Sequence, residues 1–168
     1  MMPVHSKKKL NMAGWLLLAA FAGHSSVLLS EEYEGQIVIY NKKGADGTYQ
    51  QINCTLPFVT SEVNFQDNSE GCVNDDAYAF KLDKVPSATV FTFTDAPDCS
   101  ESGAFYYRFK TVEHPTTMEL PMDIEIAGQE TVGSVVTPGV LLVASTTTGQ
   151  VGGKLSCVKI VRSAVPQP

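Results

Sequence analysis

The amino-acid sequence predicts a single all-β domain, a sandwich or distorted barrel, and three observations carry that expectation. No segment holds a sustained apolar repeat at helical spacing. Short β-branched and aromatic runs recur instead, bounded by Gly, Pro, Asn and Asp. Hydrophobic residues make up 43% of the 168-residue chain and charged residues 18%, the balance of an ordinary globular protein.

The runs can be taken in order. Residues 36–40 form the first strand, ended by a turn over residues 41–47 whose Gly44 and Gly47 allow positive φ. Residues 49–54 read as its hairpin partner, and residues 60–65 as a third strand with Val63 and Phe65 on one face. A polar loop over residues 66–76 holds Cys72. Alternation returns over residues 77–82, where Tyr78, Phe80 and Leu82 would share a face. The clearest strand covers residues 88–94, with Phe91 and Phe93 on one side and Val90, Thr92 and Thr94 on the other. Residues 104–110 pair naturally with it; there Phe105, Tyr107 and Phe109 point to the core and Tyr106 points out. Residues 118–126 alternate Met122, Ile124 and Ile126 against Asp123 and Glu125, which suits a sheet with one wet face. Residues 140–144 and 155–161 supply the last strands, with a turn between them at Gly149 to Gly153, and residues 164–168 form a frayed tail. Eight or nine short strands joined by turns argue for a sandwich or barrel.

The N-terminus reads as an export signal over residues 1–22, with cleavage possible up to about residue 30. Lys7, Lys8 and Lys9 form a positive start, an apolar stretch follows, and Ala20-Phe21-Ala22 has the small-x-small pattern of a cleavage site. The strongly apolar part is about ten residues, short of the roughly 20 a membrane span requires. No stable membrane anchor is therefore expected after processing, and the product is expected to be secreted or periplasmic. Residues 33–163 are then the single domain. Of the 12 Lys and Arg, processing removes those three; all 18 Asp and Glu remain, so 9 basic against 18 acidic residues leave a net charge of −9. Such a surface repels phosphate backbones and anionic lipid, which argues against nucleic-acid and membrane-surface binding. A basic partner or a divalent cation would be steered towards it.

Cys54, Cys72, Cys99 and Cys157 all lie in the processed chain, and four cysteines in an exported protein read as two disulfides with three possible connectivities. Nearness in sequence favours Cys54–Cys72; Cys99–Cys157 would then tie the last strand to the middle. Their spacings of 18, 27 and 58 do not match the clustered ligands of a zinc site.

Two stretches resemble the Greek-key motifs of the βγ-crystallin superfamily. That family opens a motif with an aromatic, four residues, a second aromatic, any residue and a glycine. Tyr40 and Gly47 supply the first aromatic and the glycine, while Ala45 stands where the second aromatic belongs. Residues 74–82, running through Val85-Pro86-Ser87 into residues 89–95, are similar to the family's third strand leading into the second motif, and residues 154–160 to its closing strand. The resemblance spans residues 35–162 with an insertion around residues 113–148, and it implies a Greek-key sandwich. It also implies calcium bound by an acidic or amide pair followed, after two residues, by two hydroxyl side chains. Asn74 and Asp75 match the pair, but Tyr78 and Ala79 replace the hydroxyls, and Val151 and Gly152 occupy the acidic positions of the second motif. Calcium prefers six to eight oxygens, so such a site would be incomplete.

Catalytic chemistry finds little support. His114 is the domain's histidine and precedes Pro115 in a loop-like stretch, with no Gly-x-Ser-x-Gly elbow to accompany it. Asp123 and Glu125, two apart on a strand, would share a face as hydrolases require of a carboxylate pair, but a solvated strand face is the simpler explanation of both. Asn53-Cys54-Thr55 fits an N-glycosylation acceptor. The expectation is a non-catalytic binding protein without a cofactor, an inhibitor or immunity-type protein with a protein partner. Tyr106, Asp123 and Glu125 are the candidate recognition residues. A calcium-stabilised structural protein and an extracellular hydrolase are the alternatives.

Overall fold

The computed structural model describes residues 35–163. The expected signal and the residue 164–168 tail lie outside the described residues. Two antiparallel sheets face each other, as the sequence predicts. The strands are β1 (Gln36–Tyr40), β2 (Ile52–Pro57), β3 (Ser61–Asn64), β4 (Ala79–Asp83), β5 (Val90–Thr94), β6 (Phe105–Thr111), β7 (Met122–Asp123), β8 (Val135–Thr137), β9 (Val140–Thr147) and β10 (Cys157–Val161). The smaller sheet runs β2-β1-β4-β7 and the larger β3-β10-β5-β6-β9-β8. Alternation fills the space between them. Phe80 from the smaller sheet sits with its ring centre 5.7, 5.1 and 5.7 Å from Phe91, Phe93 and Phe109 of the larger. These four rings are fully buried. Each removes enough apolar surface from water to contribute roughly 1.5–3 kcal/mol.

The strand order contains a repeated plan. β1 pairs with β2 and β4, while β3 leaves for the larger sheet and pairs with β10. β5 pairs with β6 and β10, while β7 leaves for the smaller sheet and pairs with β4. In each half the fourth strand returns beside the first, the Greek-key arrangement, and the two halves exchange their third strands. β4 is thus the fourth strand of its unit, not the third. The β8–β9 hairpin is additional and lies along the free edge of β6.

Both disulfides pair as expected, Cys54 with Cys72, its neighbour in sequence, and Cys99 with Cys157, tying the last strand to the middle of the chain. They are placed equivalently in the two units: each connects a segment at the second strand, or the loop before it, to the fourth strand or the loop leading into it.

Three local expectations are corrected. β2 starts at Ile52, so the hairpin partner of β1 is shifted by three residues. The Gly149–Gly153 turn joins strands that are not neighbours, because β5 and β6 lie between β9 and β10. The largest difference concerns residues 118–126. Only Met122 and Asp123 are strand, and a short helix α1 (Ile124–Gln129) follows. Asp123 Oδ1 accepts the backbone N–H groups of Glu125 (2.9 Å) and Ile126 (3.2 Å), so its carboxylate caps the helix and overrides the local alternation. Ile126 is consequently exposed, not part of the core.

Candidate interaction surface

Tyr106 projects from β6 on the side away from the core, as alternation requires, yet only 5% of it is exposed. The expectation of an outward recognition tyrosine fails because a loop covers that side of the sheet. Thr94 Oγ1 donates to the carbonyls of Ser100 (3.2 Å) and Phe105 (3.0 Å), and Asp95 accepts from the N–H groups of Ala104 (3.0 Å) and Phe105 (3.2 Å). The Cys99–Cys157 bridge then pins residues 95–104 to β10. What remains open is a groove of about 420 Å³ whose walls include Thr92, Glu101, Tyr106, Arg108 and Lys159. Arg108 Nη2 donates to Glu101 Oε1 at 2.9 Å and to the Tyr106 hydroxyl, with the guanidinium 5.2 Å from the ring centre. Burial first, and the Glu101 carboxylate second, raise the Tyr106 pKa, so its hydroxyl stays protonated. Lys159 pairs with Glu62. Each cation in this groove already has a carboxylate.

Asp123 and Glu125 are brought near each other, but not on one strand face. The Asp123 carboxylate is committed to the helix cap and accepts from the Tyr49 hydroxyl; Glu125 accepts from Gln129 Nε2 at 3.2 Å. Burial, then the hydrogen bond to Asp123, raises the Tyr49 pKa. A carboxylate held in this way positions the start of the helix. Asn74 Oδ1 is buried and accepts no hydrogen bond among the described residues, whereas Asp75 lies 3.7 Å from Lys154 Nζ. The chain itself therefore places a cation beside the acidic residue that the calcium motif would use. Among the described residues, no three His, Cys, Asp or Glu side chains come together as a metal would need, and no helix is long and apolar enough to cross a membrane. His114 is exposed, in the loop where the sequence places it.

A different surface stands out in the stretch that the duplicated plan does not need. Among the described residues, four of the nine exposed large hydrophobic side chains lie within residues 120–135: Leu120 (77% exposed), Ile126, Val132 and Val135 (59%). Leu120, Met118, Met122 and Pro138 line a groove of about 390 Å³ between residues 117–122 and the β8–β9 turn. Residues 111–153 also carry Glu113, Glu119, Asp123, Glu125 and Glu130 and not one Lys or Arg. Exposed apolar side chains and unbalanced carboxylates thus occur together in this one stretch of the chain. Sequence reasoning missed Leu120 and Val135, because an apolar residue in a strand-rich chain reads as core; the absence of basic residues over 111–153 was the available signal.

No protein-family model matches the chain, and no curated protein or solved structure resembles it significantly.

Proposed function

We propose that this chain is an exported, non-catalytic binding protein, of the inhibitor or immunity type, that holds another exported protein against residues 117–138. One observation carries the reading: the exposed apolar side chains concentrate in a segment that is acidic and has no basic residue of its own. A partner with an apolar protrusion inside a basic rim would match both properties. The two disulfides, which suit an oxidising compartment, and the signal pattern of residues 1–22 support export. The test is capture from the exported fraction with wild-type protein and with L120D/V135D, using a photo-crosslinker at position 120. Losing two anchors should weaken binding at least tenfold, and raising salt from 0.05 to 0.5 M should weaken it further as the charged rims are screened. Recovery of no protein, or equal capture by the double variant, would refute the proposal.

A second reading, a calcium-stabilised βγ-crystallin-like structural protein, is favoured by the two Greek-key units. The second unit opens at β5 and closes at β10. Asn74 and Asp75 would hold the ion, and Lys154 would have to swing away first. A calcium titration followed by melting temperature separates the readings: no shift at millimolar calcium removes this one.

A further inference from the structure

The acceptor triplet Asn53-Cys54-Thr55 has a role in the folded chain that bears on whether it can carry a glycan. Asn53 sits at a bulge in the β1–β2 ladder. Ile39 is paired with Cys54 and Tyr40 with Ile52, which leaves Asn53 without a cross-strand partner. A bulge re-aims the extra side chain, and here it points to the segment after Cys72. Asn53 Nδ2 donates to the Val73 carbonyl at 3.0 Å, and the Val73 N–H donates to Asn53 Oδ1 at 2.8 Å. The next residue, Cys54, forms the disulfide with Cys72. Residues 53 and 54 thus clasp residues 73 and 72, one pair by two hydrogen bonds and the other covalently.

Both bonds of the amide pair go to one residue, so the Nδ2 hydrogen in use is the one on the same side as Oδ1. Glycosyl transfer replaces a hydrogen on that nitrogen. Nδ2 attacks C1 of an oligosaccharide carried on a lipid diphosphate, and the N–C1 bond forms. The C1–O bond to phosphate breaks, the lipid diphosphate leaves with the electron pair, and one Nδ2 proton passes to the transferase's base. A substituted amide is planar and trans, which puts the new carbon on the Oδ1 side. That is the position of the hydrogen aimed at Val73.

We infer that glycosylation of Asn53 and closure of the Asn53–Val73/Cys54–Cys72 clasp exclude each other, so that the triplet is an acceptor only in chains whose clasp has not closed. The inference rests on the export reading, and the experiment separates the two by forcing entry into a glycosylating pathway. The full chain is placed behind a host export leader in glycosylating eukaryotic cells, as wild type, C72S and N53Q. C72S opens the clasp and leaves Asn-Cys-Thr unchanged. Occupancy at residue 53 is read from the mass lost to endoglycosidase, in whole cells as well as in the medium, so a variant that fails to fold still reports. Occupancy in C72S should exceed that in wild type severalfold, and brief treatment with a reductant should raise wild type towards C72S. Any glycan-bearing wild type should have lost hydrogen-exchange protection of the Val73 amide. Equal occupancy in wild type and C72S, or a glycosylated chain with Cys54–Cys72 closed and Val73 still protected, would overturn the inference.

Discussion

Replacing Gly128 by Ala sets two effects of opposite sign against each other. Gly128 lies inside α1, where Ala is favoured over Gly by about 1 kcal/mol. A Cβ at this position, however, would stand 2.2, 2.3 and 2.3 Å from Cε2, Cδ2 and Cζ of Tyr107. Ordinary contact begins more than 1 Å further out, so either the ring or the helix must move. Tyr107 is fully buried, packs 5.2 Å from the Phe105 ring centre and shares a 2.7 Å hydrogen bond with Thr147, so the ring is held. The helix would lift instead, stretching the 2.6 Å bond from Ser145 Oγ to the Gly128 carbonyl. Overpacking of this kind costs about 1–3 kcal/mol and the lost hydrogen bond about 1 kcal/mol. After the helix-propensity gain, G128A should be less stable by about 1–3 kcal/mol. That corresponds to a fall in melting temperature of roughly 3–12 °C. Urea unfolding followed by far-ultraviolet circular dichroism measures it. A double-mutant cycle with Y107L should show a coupling of at least about 1 kcal/mol, because the shorter side chain removes the clash. G128A as stable as wild type would show that propensity outweighs the close approach and would refute the argument.

Two further outcomes concern the staples and the acidic cap. The loops closed by Cys54–Cys72 and Cys99–Cys157 span 18 and 58 residues; chain entropy then assigns them about 3 and about 4 kcal/mol. C99S/C157S should therefore lower the urea midpoint more than C54S/C72S, and an equal or reversed order would show that local packing decides the ranking. Tyr49 has its pKa raised by burial and by the Asp123 carboxylate. A raised folded pKa means its contribution is complete below the unfolded value of about 10 and is lost as pH climbs towards the folded one. Wild type should thus lose stability between pH 10 and 11.5 more steeply than Y49F, and parallel curves would dismiss the Tyr49–Asp123 contact as a contributor.

How much of the fold was legible depends on how local its causes are. β5 and β6 could be read directly, since Phe91 and Phe93, then Phe105, Tyr107 and Phe109, alternate without interruption and all are buried. The helix at 124–129 was misread because Ile124 and Ile126 carry a strand period, while the residues that decide the matter do not. Asp123 is a good cap, and Ala127 and Gly128 are poor strand formers. The exchange of β3 and β7 between sheets leaves no local trace, because it depends on pairings with β10 and β4 across long separations. Tyr106 shows the same limit at the scale of one side chain: alternation gives its direction correctly, but its burial comes from a loop that Cys99 holds in place.

The candidate surface lies where the symmetry of the two units breaks. A repeated pair of Greek-key units would leave β2 and β6 as equivalent free edges, and exposed edges invite pairing with other chains. The two are managed differently. On β2 a bulge at Asn53 interrupts the ladder, Pro57 removes a donor, and residues 72–73 are clasped alongside. On β6 the chain instead lays down β9, seven of whose residues pair with β6. Closing that edge takes a long excursion, and β7, two residues long against four for β3, gives up pairing to supply it. Leu120 lies in this excursion outside any strand, and Val135 on its outermost strand, β8. It is there that Leu120 and Val135 are left exposed and that basic residues are missing. Exposed apolar groups rimmed by charge mark interaction sites, so the proposed partner is to be sought where this surface departs from the symmetry of its own frame in both apolarity and charge.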